Sequence, residues 1–221
     1  MRGRWIVLAA ATASLAFPGS ATATSVSVES GAGNAFSAPV YSIDQGESLE
    51  FANNGDRPHD LISFGALSGG FLFSAPRVSP GDTASVAGVE YLTTGTYPFL
   101  CSLHPGMESS LSVGSGGTPT ERPAVAARIL TTRKSALVRS GRLRLSMSTA
   151  VAASDVSLRL SYLGKVVASR VVDLVPGSSN GTSLQIPMQV RKKIARQARV
   201  RLSVAGSVPF GVFRGASRAF R

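Results

Sequence analysis

The chain has 221 residues, of which 43% are hydrophobic and 16% are charged, and its formal net charge is +11. This hydrophobic content is that of a globular protein and excludes a disordered or collagen-like chain. The length suits one large domain or two modest ones. Beyond residue 23, no apolar run is long enough to predict a transmembrane segment.

Residues 1–23 have the layout of a signal peptide. Arg2 and Arg4 form a short basic start, an apolar run covers residues 5–17, and Ala21-Thr22-Ala23 supplies small residues before a cleavage point. A buried N-terminal helix would also be apolar, but the order of basic, apolar and small residues favours export. We therefore expect an extracytoplasmic protein that is secreted, periplasmic or associated with the cell wall.

The charge changes sign along the chain. Residues 24–119 hold two basic and nine acidic residues, whereas residues 120–221 hold 19 basic and three acidic ones. Such asymmetry predicts two units, joined by a segment with the Gly, Ser, Thr and Pro content of a flexible linker. The predicted segments are, in order, a first domain (24–113), a linker (114–122), a second domain (123–206) and a basic tail (207–221).

The first domain is predicted to be all-β. Short segments with alternating apolar residues are separated by turn residues such as Asp44-Gln45-Gly46 and Asn53-Asn54-Gly55-Asp56. Many short strands in about 90 residues predict a β-sandwich. The predicted strands lie near residues 26–28, 40–43, 48–51, 59–62, 84–86, 96–100 and 111–113.

The second domain is also predicted to be all-β, as a small, basic, Ig-like sandwich. Turns are expected at Gly164-Lys165, Pro176-Gly177 and Asn180-Gly181. The predicted elements are strands near residues 142–147, 156–162, 166–174 and 200–204 and a helical turn at 190–194.

The basic residues of the second domain mostly occupy the polar positions of these strands, which indicates a solvated sheet face. Nucleic acid is not expected as a partner, because aromatic residues for stacking bases are few and the chain is predicted to be exported. An anionic cell-wall polymer, a membrane surface or an acidic redox partner is the more plausible contact for this charge.

One short segment concentrates metal-binding side chains. The chain has one Cys and two His residues, and Cys101, His104 and Met107 lie within seven residues after a predicted strand. The second imidazole, His59, stands at the start of another predicted strand. Two imidazoles, one thiolate and a weak thioether form the ligand set of electron-transfer copper. We therefore predict one copper ion bound by these four residues.

Other readings of these residues are weaker. Structural zinc prefers four Cys or His ligands, and a haem attachment needs a second Cys. A nucleophilic Cys–His pair is conceivable, but no third orienting residue is evident. An inert buried thiol is the simplest alternative, although a free thiol outside the cell risks oxidation.

The segment from Tyr41 to Val113 resembles the cupredoxins of the plastocyanin and amicyanin type. The shared features are residues 43–53 leading to Pro58-His59-Asp60, then Ser79-Pro80-Gly81-Asp82, residues 95–99 and the Cys–His–Met loop. The two-residue spacings in this loop resemble the short loop of amicyanin. The resemblance implies a Greek-key sandwich, one type 1 copper that cycles between Cu(I) and Cu(II), and a carrier rather than an enzyme, with no catalytic residue.

Two positions depart from the family pattern. The residue after the first His ligand is often Asn in this family, and it is Asp60 here. We expect Asp60 to accept a hydrogen bond from Ser102, to tie the two ligand loops together and to favour Cu(II) through its charge. Ser109 stands where Gly is common, and we interpret it as a tolerated change.

The resemblance also implies that electrons pass through the ring edge of His104, near the surface, to a redox partner protein. His59 and Cys101 are expected to lie deeper. Two further functions stay open, an extracytoplasmic copper-handling protein and a wall-associated binding module whose copper fold is incidental. The expected docking patch around the exposed imidazole consists of Phe64, Leu67, Leu103 and Pro105, for which ordinary loop packing is the alternative.

Overall fold

The computed structural model describes residues 24–29, 31, 33–67, 70–177 and 180–221. The predicted signal peptide, residues 1–23, lies outside the described residues. Within the described part of the chain, no helix is both long and apolar enough to cross a membrane.

The first half of the chain forms a three-stranded and a five-stranded sheet, with a small two-stranded sheet beside them. The elements are β1 (Thr24–Ser27), β2 (Val40–Asp44), β3 (Leu49–Ala52), β4 (His59–Ser63), β5 (Ala66–Leu67), β6 (Gly70–Phe71), β7 (Ser74–Val78), β8 (Thr83–Ser85), a 3-10 helix (Val89–Tyr91), β9 (Gly95–Leu100) and β10 (Glu108–Gly114). The three-stranded sheet has the order β1-β3-β8, the five-stranded sheet has the order β2-β10-β9-β4-β7, and β5 pairs with β6.

The core of the first half lies between its two larger sheets. Phe51 of β3 and Phe99 of β9 are both fully buried, and the ring of Phe36 packs edge-on against each, with centroids 6.3 and 4.9 Å apart. Burial alternates along β2 and β10, as the sequence pattern predicts for strands with one face on a core. The predicted β-sandwich is confirmed for this half.

One long strand of this half carries a weak sequence signal. Strand β7 contains Pro76, which cannot donate a hydrogen bond to a neighbouring strand. It lies at the edge of the five-stranded sheet, the position at which proline is tolerated. Because of this proline, the sequence pattern did not predict β7, although an edge strand can contain a proline.

The second half forms two four-stranded sheets. The elements are β11 (Ala124–Ile129), α1 (Lys134–Ser140), β12 (Arg142–Ser148), β13 (Ala153–Tyr162), β14 (Lys165–Leu174), β15 (Asn180–Gln185), α2 (Met188–Arg196), β16 (Val200–Ser207), β17 (Val212–Arg214) and β18 (Ala216–Phe220). The sheets have the orders β15-β12-β11-β17 and β14-β13-β16-β18. Their buried residues form a core of their own, which includes Leu143, Leu160 and Leu202, all fully buried.

The prediction of a basic tail over residues 207–221 is wrong. This segment forms β17, which pairs in parallel with β11, and β18, which pairs with β16. Its apolar residues Val208, Phe213 and Phe220 are 1, 8 and 1% exposed. They lie five and seven positions apart, so the segment lacks the dense alternation of buried residues by which strands are recognised.

Turn chemistry accounts for one correct and one wrong prediction. Leu163 and Gly164 connect β13 to β14, and their φ angles of 50° and 77° suit the two-residue hairpin expected near Gly164-Lys165. The expected turn at Asn180-Gly181 is absent, because these residues begin β15 opposite Met147 and Ser146.

The segment predicted as a flexible linker is held against the first half. The backbone N–H of Gly116 donates to the Asp44 carboxylate, at 3.0 Å, and the N–H of Thr120 donates to the Glu90 carbonyl, at 2.8 Å. The guanidinium of Arg122 lies 5.2 Å from the centre of the Tyr91 ring. The composition of residues 114–122 predicts a flexible segment, but it gives no information about these contacts.

The two halves meet at Phe210. This residue has a φ of 51°, and its carbonyl accepts a hydrogen bond from Arg122. Its ring lies so close to Gly88 that a Cβ there would stand 2.5 Å from the ring and 2.5 Å from the Leu72 carbonyl oxygen. Gly88 is therefore needed both for its φ of 95° and for the space that it leaves.

We expect Gly88→Ala to lower the free energy of unfolding by about 2–4 kcal/mol, since it combines left-handed strain with overpacking against Phe210. Gly81 is a matched control, because its φ is 82° but a Cβ there would meet nothing within 4 Å. Gly81→Ala should lower the free energy of unfolding only by the cost of placing a Cβ at a left-handed φ, about 1 kcal/mol. Urea unfolding measures both changes, and equal losses would show that the Phe210 contact contributes nothing.

Candidate metal centre

The predicted ligands meet because β9 lies between β4 and β10. In the antiparallel pair of β4 and β9, Ile62 stands opposite Leu100, so that continuing the register places Asp60 opposite Ser102. The first residue of β4, His59, is thereby brought beside the loop that follows β9. Strand order thus closes the gap of 42 residues between His59 and Cys101.

On its other side, β9 forms a hairpin with β10. Leu100 pairs with Glu108, and the next step of the ladder joins the Cys101 N–H to the Met107 carbonyl at 3.0 Å. The Met107 N–H in turn donates to the His104 carbonyl, at 3.3 Å. The two sulfur residues therefore face each other across the hairpin end, and His104 occupies the loop between them.

Three ligand atoms converge at this end of the sheet. The Cys101 sulfur lies 3.7 Å from His59 Nδ1 and 3.5 Å from His104 Nδ1. All three ligand atoms lie within 4.8 Å of one another. The two imidazole rings have centroids 4.4 Å apart and are tilted by 44°.

These distances fit a first-row transition metal. Bonds of about 2.0 Å to nitrogen and about 2.3 Å to sulfur, in a trigonal arrangement, separate N and S by about 3.7 Å. The spacing alone suits zinc and copper equally, and the fourth donor distinguishes them. Met107 is 1% exposed in the same core, and a thioether suits copper but not structural zinc.

The depth of the side chains agrees with the sequence expectation. His59 is fully buried and Cys101 is 3% exposed, whereas His104 is only partly buried. Of the expected docking patch, Phe64 is 52% and Leu103 is 42% exposed, Pro105 is exposed and Leu67 is partly buried. Phe71, which was not among the residues of the expected docking patch, is also 41% exposed.

Burial sets the protonation states of two of the predicted ligands, His59 and Cys101. Desolvation, and then the neighbouring His104, lower the pKa of His59, so that the ring is neutral and its Nδ1 can bind a metal. Desolvation also raises the pKa of the Cys101 thiol. The sulfur therefore keeps its proton until a metal replaces it, which makes metal binding a proton-releasing step.

Asp60 joins the two ligand loops, as expected. Its carboxylate accepts the Ser102 backbone N–H at 2.6 Å and also the Ser102 hydroxyl. Both hydrogen bonds go to the residue directly after Cys101, so they fix the start of the ligand loop relative to the strand that carries His59. A charged acceptor makes them stronger than amide contacts.

Asn53 is a positioning residue that the sequence did not reveal. It is fully buried, and its side-chain amide donates to the carbonyls of Arg57, at 2.7 Å, and Val78, at 3.0 Å. Its Oδ1 accepts the Gly55 N–H at 3.0 Å. These bonds shape the loop that leads into His59, yet in sequence Asn53-Asn54-Gly55 indicates only a turn.

We expect Asn53→Ala to lower the free energy of unfolding by about 3 kcal/mol, because it leaves buried backbone groups without partners. The exposed neighbour Asn54 provides the control, and Asn54→Ala should change stability by no more than about 0.5 kcal/mol. Urea unfolding of both variants is the measurement. Similar stabilities would contradict the positioning role.

No family model matches the chain, and no curated protein matches it. Among solved structures, a reduced tryptophan-to-tyrosine mutant of amicyanin is 20% identical, with a TM-score of 0.35, over 42% of this chain and 82% of that chain. A purple cupredoxin from Nitrosopumilus maritimus is 22% identical, with a TM-score of 0.34, over 41% of this chain and 99% of that chain.

The arrangement of the strands and the ligand atoms, rather than these distant likenesses, carries the interpretation of the site. Ligands from β4 and from the β9–β10 hairpin meet at one sheet end, with three buried donors and one near the surface. The N-terminal half is therefore a β-sandwich that carries, at one sheet end, two imidazoles, a thiol and a thioether, a donor set that suits a type 1 copper ion.

Proposed function

We propose that the protein is an exported blue-copper protein that binds one type 1 copper ion and carries one electron at a time. His59, Cys101, His104 and Met107 are the proposed ligands. The observation that carries the proposal is the approach of both imidazole Nδ1 atoms to one buried thiol, at 3.5 and 3.7 Å, while the buried Met107 is joined to Cys101 by a backbone hydrogen bond.

Copper bound here supplies a one-electron couple, and the protein keeps the site fixed around it. The imidazoles and the thiolate suit both oxidation states, while buried walls exclude water from three of the four donors. The hydrogen bonds from Ser102 to Asp60 and the ladder bond from Cys101 to Met107 restrain the loop. A restrained ligand set needs little rearrangement when the charge changes.

The partly buried His104 is the proposed exit for electrons, toward a redox partner protein. It is the one proposed ligand with appreciable exposure, and Leu103 and Pro105 beside it are exposed. Exposed apolar side chains around a polar centre favour brief contact with another protein surface. A site of this kind transfers electrons without turning over a substrate, so we propose a carrier and not an enzyme.

Export is supported by the signal pattern of residues 1–23. The proposed location is therefore extracytoplasmic. The proposed division into a copper domain and a basic domain at residues 114–122 is supported by hydrophobic cores that lie at 26–113 and 125–220.

The spectrum of the copper-loaded protein tests the proposal. An intense blue or purple thiolate-to-copper band is expected, with the narrow copper splitting of a type 1 site in electron paramagnetic resonance. A colourless copper complex would contradict it and favour a copper-handling protein. Reversible voltammetry with fast electron exchange separates the carrier from both a copper-handling protein and a wall-associated module.

Cys101→Ser should abolish the visible band, because a hydroxyl cannot replace the thiolate that donates charge to copper. Ser85→Ala, at an exposed position of β8, is the control, since it leaves all four donors and the hydrogen bonds of the ligand loop in place. The visible spectrum is compared at equal copper content. A coloured Cys101→Ser variant would exclude the sulfur as a ligand.

Asp60→Asn should raise the reduction potential by some tens of millivolts, because a nearby negative charge stabilises Cu(II) over Cu(I). The amide oxygen can still accept the Ser102 N–H, so the loop should be retained. Glu108→Gln, which removes an exposed carboxylate just beyond the site, controls for net charge. Film voltammetry measures both, and equal shifts would contradict a specific role of Asp60.

A further inference from the structure

A groove in the basic second half gathers three arginines without an acidic partner. Its volume is about 530 Å³, and Arg142, Arg144 and Arg170 line it together with Thr182 and Ser183. None of its lining residues is acidic or aromatic. The copper site accounts for none of these residues, all of which belong to the second half.

Both sheets of the second half contribute to the groove. Arg142 and Arg144 alternate on β12 with the buried Leu143 and Leu145, so both face outward. Ser183 of the edge strand β15 stands opposite Arg144.

The third arginine reaches the groove from the other sheet. Arg170 belongs to β14, and its Nη1 donates to the Ser183 carbonyl, at 3.4 Å. This bond crosses from one sheet to the other and holds the guanidinium at the groove. The convergence therefore depends on the fold, since Arg144 and Arg170 are 26 positions apart.

The charges of the groove are not compensated within the described residues. The one ion pair found among them joins Arg57 to Asp56, in the first half. Glu121, Asp155 and Asp173 are the only acidic residues after position 119, and none lines the groove. Three cations that share a concave surface repel one another and focus a positive potential, which a bound anion relieves.

We propose that this groove binds a soluble oligophosphate, that is, a ligand with two or more linked phosphate groups. Guanidinium groups match the tetrahedral oxygens of phosphate through paired hydrogen bonds. The Ser183 hydroxyl, on the same sheet face as Arg144, adds a donor, and a Cβ at Gly181 would meet nothing within 4 Å, so the groove is open at this strand. The volume lies in the range of small-molecule sites, which suits several linked groups.

Nucleic acid also carries phosphates, but the groove offers no aromatic ring on which a base could stack. The residues that line the groove can therefore recognise phosphate groups but offer no ring for a base. This distinction makes a single-stranded oligonucleotide the informative competitor in the test.

Calorimetric titration of the full copper-loaded protein with tripolyphosphate tests the proposal. Saturable binding with one site is expected, weakening as salt is added. The double variant Arg144→Gln with Arg170→Gln should bind at least about tenfold more weakly. Its visible spectrum should be unchanged, which shows that the copper half is intact.

The control carries the same loss of charge away from the groove, as Arg159→Gln on β13 with Arg201→Gln on β16, both at exposed strand positions. This protein should bind within about twofold of the unaltered one. An equal loss in the control would mean attraction by net charge only and would overturn the proposal. Unsaturable binding, or tighter binding of a single-stranded oligonucleotide than of tripolyphosphate, would also overturn it.

Vesicles with anionic phospholipids test for a membrane surface as the ligand. Tripolyphosphate should displace any vesicle-bound protein if the groove holds phosphate groups. If tripolyphosphate leaves vesicle binding unchanged, the groove arginines contact a membrane surface rather than an oligophosphate, and the proposal is overturned.

Discussion

The metal centre depends on the position of β9 between β4 and β10. Continuing the two ladders beyond Leu100 brings His59 and Asp60 to one side of Cys101 and Met107 to the other. No ligand is carried by a long free loop, because each lies at a strand end or in a tight hairpin connection. Backbone hydrogen bonds of the sheet therefore determine the distances between donors before any metal is bound.

Polar residues beneath the ligands complete this restraint. Asp60 fixes the entry into the ligand loop, and Asn53 fixes the loop before His59. Both connect segments that are distant in sequence. Each therefore restrains the position of a donor-bearing residue in addition to the strand pairing. Burial has the complementary effect, because a neutral imidazole and a protonated thiol are the forms that a dry pocket favours until a metal enters.

The two halves differ in how they use charge. The acidic first half keeps His59, Cys101 and Met107 away from water, whereas the basic second half displays arginines on the outer faces of its sheets. They are joined by contacts of Arg122 and Phe210 rather than by a free linker. The basic character thus resides on a folded surface with defined grooves, which is different from a loose cationic tail.

The sequence by itself determined the donor set, the β class and most strands of the first half, since one Cys, two His and the Cys–His–Met spacing leave few chemistries and alternation marks the strands with one buried face. It also indicated the Asp60–Ser102 contact through the family resemblance. Only the tertiary structure decided the role of Asn53, the strand with Pro76, the folding of residues 207–221 and the meeting of Arg144 with Arg170. Each of these depends on at least one partner 12 or more residues away, through strand order and burial, and local composition carries no signal for contacts at that range.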